Sequence, residues 1–256
     1  MPTYKLLSSE SPKINKSNKI QDKYFSRILY LAPHNLADGK RTVCPYATVA
    51  QCHEPCLNTA GLGGVYPSIQ KARIRKTLLF LNDRDQFMSD LVGDIIKFLL
   101  ECEKLGKLPC LRLNGTSDIQ WENIYLKNGQ TLFSLFPEIQ FYDYTKIPTR
   151  DIGGIRNYHL TWSYSEANEK YSNLFEKVEH NKAVVFRDKL PSMFKGLKVI
   201  DGDKHDMRFL DEPNVVVGLK AKGKAKKDYS GFVIDNEKIE VRLVVWVHTK
   251  RPQKNT

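Results

Sequence analysis

The chain has 256 residues, enough to bury a full core in one large domain without covalent staples. Lysine and arginine total 40 against 29 acidic residues, a net charge of +11 that favours polyanionic partners and says nothing about fold. No run approaches the roughly eighteen apolar residues that span a bilayer, and the polar start "MPTYKLLSSESPKINKSNKIQDK" lacks the apolar segment of a secretory signal. The expectation is therefore a cytoplasmic protein with no membrane partner.

Taken in chain order, residues 1–24 read as a basic flexible tail, poor in apolar positions. Residues 25–232 read as one α/β domain. Its first strand is Ile28 to Ala32, and a loop containing Cys44, Cys52 and Cys56 follows directly. Ile69, Ala72, Ile74, Leu78 and Leu81 then fall near helical spacing, as do Phe87, Leu91, Ile95, Phe98 and Leu99. "NDRD" at 82–85 offers N-cap residues, so the spacing predicts two helices with a break there, the first opening at Pro67. Short apolar runs at 109–115, 139–146, 158–166, 182–187, 197–203 and 214–223 read as strands. Segments 117–138 and 166–181 can hold helices between them. Strands alternating with helical segments predict parallel βα units, and six to seven strands suffice for a partial or full (β/α) barrel. Residues 233–256 read as an appended β-hairpin turning near "DNEK".

In parallel α/β folds, ligand sites gather at the carboxyl ends of strands. The residues placed there include His34 and Asn35, then Asn114, Gly115, Thr116, Ser117 and Asp118. Asp143 to Lys146, and Ser163, Ser165 and Glu166, follow the next two strands. The sharpest local signal is Cys44-x7-Cys52-x3-Cys56, with Pro45 and Pro55 breaking the loop. Thiolates are soft ligands for zinc and for iron–sulfur clusters. No Cys-x2-Cys pair is present, and His53 adjoins Cys52 too closely to face the same ion. Three cysteines without a fourth suit a [4Fe–4S] cluster with one open iron. Zinc and simple packing stay open on spacing alone, while Cys102 and Cys110 read as core thiols. "DGDKHD", with Asp201, Asp203, His205 and Asp206, reads equally as a hard-metal hydrolytic site or a solvated turn. Lys220, Lys222, Lys224, Lys226 and Lys227 form the densest basic run and are the candidate nucleic-acid contacts. Tyr142, Tyr144, Trp162 and Tyr164 either stack bases or fill the core.

"VCPYATVAQCHEPCLNTAG", "QKARIRKTLLFLND", "LRLNGTSDIQW", "FYDYTK", "HLTWSYSE" and "DGDKHDMRFLDEPNVVVGLKAKGKAKKD" together resemble the bacteriophage family known as gene product 88, whose function is uncharacterised. Leu57 stands where that family usually has an aromatic residue, and residues 114–118 replace its acidic turn. The layout is similar, more remotely, to three-Cys-motif proteins and to radical S-adenosylmethionine enzymes. In those, three cysteines after the first strand of a partial barrel hold the cluster. That resemblance implies Cys44, Cys52 and Cys56 as iron ligands. It places residues 114–118 at the methionine amino group of S-adenosylmethionine, and Ser163, Ser165 and Glu166 at its ribose or sulfonium end. It also implies a phage protein working in an infected cell's cytoplasm. The competing expectation is a nucleic-acid-binding protein with a structural zinc in the cysteine loop.

Overall fold

The computed structural model describes residues 5–8 and 12–235. In chain order they form β1 (Leu7–Ser8), α1 (Pro12–Ile20), β2 (Tyr24–Leu29), α2 (Gly61–Val65), α3 (Pro67–Asn82) and α4 (Arg84–Leu105). There follow β3 (Leu108–Arg112), α5 (Leu132–Leu135), β4 (Gln140–Thr145), β5 (Tyr158–Ser163) and α6 (Glu169–Ser172). β6 (Lys182–Phe186), β7 (Met193–Phe194), β8 (Leu197–Asp201), β9 (Val215–Lys220) and β10 (Val233–Ile234) complete the order. All seven strands expected from the apolar runs form within a residue or a few of their expected positions, because β-branched and aromatic side chains suit a sheet buried on both faces.

The ten strands make one sheet in the order β1-β2-β3-β4-β5-β6-β9-β8-β7. Strands β2 to β6, β9 and β8 run parallel, while β1 and β7 close the two edges antiparallel. The sheet is open, so a full barrel does not form. One edge of β6 is shared: β5 pairs at Lys182 and Ala183, and β10 pairs further along at Val185 and Phe186. β5 therefore pairs only with the amino end of β6, and β10 takes its place along the carboxyl end of β6.

Helices α3 and α4 cover one face of β2–β4. Asp83 breaks them apart because its side chain caps the second, accepting from Gln86 N–H at 3.0 Å. Gly106, left-handed at φ +63°, ends α4. Phe87, Leu91, Ile95 and Phe98 form its buried stripe against Leu111, Leu113 and Phe141. Each such burial contributes about 2 kcal/mol. A second core gathers Trp162, Tyr164, Phe175, Phe186 and Val216 around β5, β6 and β9.

Three expectations change. Residues 5–8 and 12–20 are not a loose tail. Asp94 accepts from the Leu6 and Leu7 N–H groups at 2.6 and 3.1 Å, and the α1 residues Ile14 and Ser17 are buried. These bonds run from side chain to backbone, which no hydrophobic periodicity reveals. The segments 117–138 and 166–181 hold only short helices, because their chains are pinned by buried side chains instead. The hairpin expected over 233–256 lies outside the described residues beyond Asp235; its first strand, β10, joins the main sheet in parallel.

Candidate metal centre

Every parallel strand ends on the same side of the sheet, and the long loop after β2 lies across that edge. On the β3 side it is tied by Asp118 N–H to the Val43 carbonyl at 2.8 Å. On the β5 side Ser165 Oγ donates to the Ala50 carbonyl at 2.8 Å, and Ala50 is fully buried. Between those anchors the loop carries its three cysteines, all half-buried free thiols. Cys44 Sγ accepts from His34 N–H at 3.2 Å and faces the Thr116 carbonyl at 3.8 Å. Cys56 caps the short turn Leu57–Thr59, its sulfur accepting from Asn58 N–H at 3.5 Å. Cys52 packs against Ala221, Ala225 and Phe232 as well as the second core.

The three thiols lie close enough to feel one another. Burial pushes all three above the ordinary thiol value, Cys56 to about 11. Beyond its burial, Cys44 is raised further by Asp118, Cys56 and Cys52. Among the described residues, no three His, Cys, Asp or Glu side chains converge tightly enough to hold a single metal ion. His53 Nδ1 meets the Ala47 carbonyl at 3.2 Å, and its ring centre lies 5.5 Å from that of His34. Cys102 and Cys110 are core residues, as expected.

Two cations border the thiols. Lys146, the residue after β4, is 8% exposed; its Nζ donates to the Tyr164 carbonyl at 3.2 Å and lies 4.4 Å from the Phe232 ring centre. Burial pulls its pKa down to about 8, opposed by Cys52, Asp118 and Cys56. Arg73 reaches in from α3, donating to Asn58 Oδ1 and stacking 4.9 Å from the Tyr30 ring; its Nε has no partner. Burial lowers the Arg73 pKa, and Cys56 acts against that. Neither cation forms an ion pair with a carboxylate among the described residues, since Asp118 is taken by Arg150 at 3.3 Å. Composition gave no sign of Arg73, which sits in an ordinary helical run. Lys146 was marked only by its place after a strand.

The other expected positions fall as follows. Asn114 is an internal hub whose Oδ1 accepts from Ser117 Oγ, Ile119 N–H and Trp121 Nε1. Gly115 is sealed under Leu29 and Tyr30, and Thr116 Oγ1 donates to the Leu31 carbonyl. Asp118 accepts from Lys146 N–H at 2.7 Å and from Arg150. The Ser163 carbonyl receives Tyr171 OH, and Ser165 braces the cysteine loop. Glu166 faces Tyr164 OH and Lys195 at the surface. "DGDKHD" does not converge: Asp203 meets Lys222, whereas Asp206 is buried against Arg112 at 2.8 Å. Tyr142, Trp162 and Tyr164 are core residues, closed to stacking bases.

Lys220, Lys222, Lys224, Lys226 and Lys227 are all exposed, on the end of β9 and the turn Gly223–Lys227. That turn packs against the cysteine loop's end. A Cβ on Gly223 would come within 3.0 Å of both Ala60 Cβ and the Thr59 carbonyl oxygen, and its φ of +56° also favours glycine. Arg187 holds the turn from below by donating to the Lys226 and Asp228 carbonyls at 3.0 and 2.6 Å. The lysines thus form one rim of the thiol site.

Among the described residues no helix is long and apolar enough to cross a membrane. No curated protein and no solved structure matches this chain. The pattern of the family described as Gene product 88 matches residues 5–236, and the chain belongs to that family.

Proposed function

We propose that this chain is an iron–sulfur enzyme in which Cys44, Cys52 and Cys56 ligate a [4Fe–4S] cluster. One observation carries the reading: three half-buried thiols at the carboxyl edge of a parallel sheet border two cations, buried Lys146 and half-buried Arg73, that form no ion pair with a carboxylate among the described residues. Neutral thiols leave Lys146 with Asp118, which Arg150 already pairs, as its nearby counter-charge, whereas an anionic thiolate cluster would compensate both cations. The backbone N–H groups of His34 and Asn58 already point at two of the sulfurs, as cluster sulfurs require.

A single-ion zinc site is not preassembled among the described residues. A single zinc holds each sulfur at about 2.3 Å, so its ligands lie within roughly 4 Å of one another. No such set exists among the described residues. A cluster offers ligand positions over a larger body. The run of β2 to β6 in sequence order, with the cysteine loop after the first of them, supports a partial-barrel relation to radical S-adenosylmethionine enzymes. When bound to the open iron, S-adenosylmethionine would supply radical chemistry. Of the positions assigned to it, Thr116, Ser163 and Glu166 keep accessible surface, while Asn114, Ser117, Asp118 and Ser165 are engaged within the protein. The lysine rim supports an anionic substrate, a nucleotide or nucleic acid.

Anaerobic purification tests the reading. The expected protein is brown, carries about four irons per chain and absorbs near ~400 nm until dithionite bleaches it, with Cys44→Ser losing that colour. A colourless chain with one zinc would overturn it. Binding of a single-stranded oligonucleotide should weaken with salt and when the five lysines become glutamine; binding that survives both refutes the substrate assignment.

A further inference from the structure

The face of β3–β5 opposite α3 and α4 carries a polar chamber that the thiol centre does not use. Segment 203–211 closes it, its short turn Arg208–Leu210 packing on β4 and β5. Two guanidiniums belong to it. Arg112, 5% exposed, comes from the end of β3, pairs with Asp206 at 2.8 Å and lies 4.6 Å from the Tyr144 ring centre. Arg208, 1% exposed, comes from the covering segment and has Asp211 beside it at 3.2 Å. The register sets Thr161 beside Tyr144, and His159 beside Tyr142, on the same stretch of sheet.

Hydrogen-bond accounting leaves this chamber unfinished. Arg112 Nε, Arg208 Nε, His159 Nε2 and Thr161 Oγ1 are buried without a hydrogen-bond partner, and the Arg208 Nη1–Asp211 Oδ2 ion pair at 3.2 Å lacks hydrogen-bond geometry. Buried polar atoms in folded proteins are nearly always satisfied, and each one left open costs about 1–3 kcal/mol. Two of these four atoms are guanidinium donors, the imidazole nitrogen and the hydroxyl can donate as well, and among the described residues no other carboxylate oxygen is open beside them. The imbalance is in donors, and it is concentrated on two planar guanidiniums, which match the oxygens of a tetrahedral oxyanion.

We propose that the chamber between Arg112 and Arg208 binds a phosphate-type oxyanion, with Thr161 and His159 as further donors. The site stands independently of what the thiols hold.

Inorganic phosphate is the probe, added to the full chain at constant ionic strength against chloride. Phosphate should raise the thermal midpoint of the wild type in a saturating manner, since ligand bound only by the folded state stabilises it. Thr161→Val and His159→Gln keep both ion pairs and nearly the same volume, so they fold; each should weaken phosphate several-fold. Arg208→Lys should abolish the shift. Replacing Lys224, Lys226 and Lys227 by glutamine should leave it intact, which separates the chamber from the exposed lysines. No shift in the wild type, meaning that ordered water alone fills the chamber, overturns the proposal. So does a shift that survives both Thr161→Val and His159→Gln, or one that disappears with the lysines.

Discussion

Arg150→Met removes the side chain on which the turn beneath the cysteine loop depends. The guanidinium is fully buried and binds Glu122 through two parallel bonds of 2.8 and 2.7 Å, Asp118 at 3.3 Å and Tyr158 OH at 2.7 Å. Its loss strands two carboxylates whose side chains are 7% and 6% exposed. Breaking a buried pair by deleting one partner costs about 3–5 kcal/mol, so the variant should lose about 4 kcal/mol in urea unfolding. In a chain of this size that lowers the thermal midpoint by about 10 °C. The loss depends on pH with a definite sign. Burial already holds the Asp118 pKa above its ordinary value, and Arg150 is among the groups opposing that. Removing Arg150 raises it further, so the folded variant takes up a proton that the unfolded chain releases. A raised carboxyl pKa penalises the fold above that pKa and the penalty fades on acidification. The gap to wild type should therefore narrow as the pH falls, and adding Asp118→Asn with Glu122→Gln should recover much of the loss. A gap below about 1 kcal/mol, or one that is constant with pH, would refute the assignment of Arg150 as the charge that holds this network.

Three smaller perturbations address neighbouring contacts. Ser165→Ala leaves the buried Ala50 carbonyl without its donor and should cost about 1–2 kcal/mol by chemical denaturation, with faster proteolysis of the cysteine loop. Gly115→Ala drives a Cβ to 2.7 Å from Ile28 Cγ2, the Leu29 carbonyl and Tyr30 Cδ1, and should cost about 2 kcal/mol or more because backbone must move. Asp143, fully buried, has its pKa raised to about 7 by burial, against Arg112, Arg150 and its bonds from Asn114 and Tyr158. The folded state thus holds a proton the unfolded chain has lost, so stability falls as pH rises from about 4 to about 7; Asp143→Asn should flatten urea midpoints across that window.

Strand positions follow from composition because a parallel sheet buried on both faces needs continuous apolar runs. "NVVVGLKAKG" becomes β9, and "FYDYT" lies within β4. The break between α3 and α4 follows from Asp83, whose capping chemistry acts within three residues. Closure of the sheet is a different kind of property. Seven strands suit an open or a closed sheet equally, and nothing local places β9 between β6 and β8 or lets β10 share an edge with β5. The same limit applies to the site. The position of the cysteine loop after the first parallel strand is a matter of chain order. Whether a polar residue at a strand end faces solvent or the interior depends on distant partners. Asn114 and Asp118 have the composition of ligands, yet Trp121, Arg150 and the Lys146 backbone occupy them. Arg73 and Arg208 sit in stretches with no marking pattern, and only folding brings them to the thiols and to the polar chamber.

The charge balance around the thiols leads to one more test, because a single substitution should act in opposite directions on the two states of the protein. Lys146 is a buried cation bordered by Cys52, Cys56 and Asp118, of which burial keeps the thiols neutral and Arg150 already pairs the carboxylate. Without a cluster its charge is desolvated with little return, so Lys146→Met should leave the metal-free chain equally stable or more stable, by about 1–2 kcal/mol. With an anionic cluster in place, Lys146 is a counter-charge in a low-dielectric setting, and the same variant should lose iron faster to a chelator and unfold at lower temperature than the loaded wild type. Thermal unfolding of both proteins, each loaded and metal-free, measures the crossing directly. If Lys146→Met shifts both states in the same direction, the lysine is a packing residue and the electrostatic case for an anionic thiolate cluster fails with it.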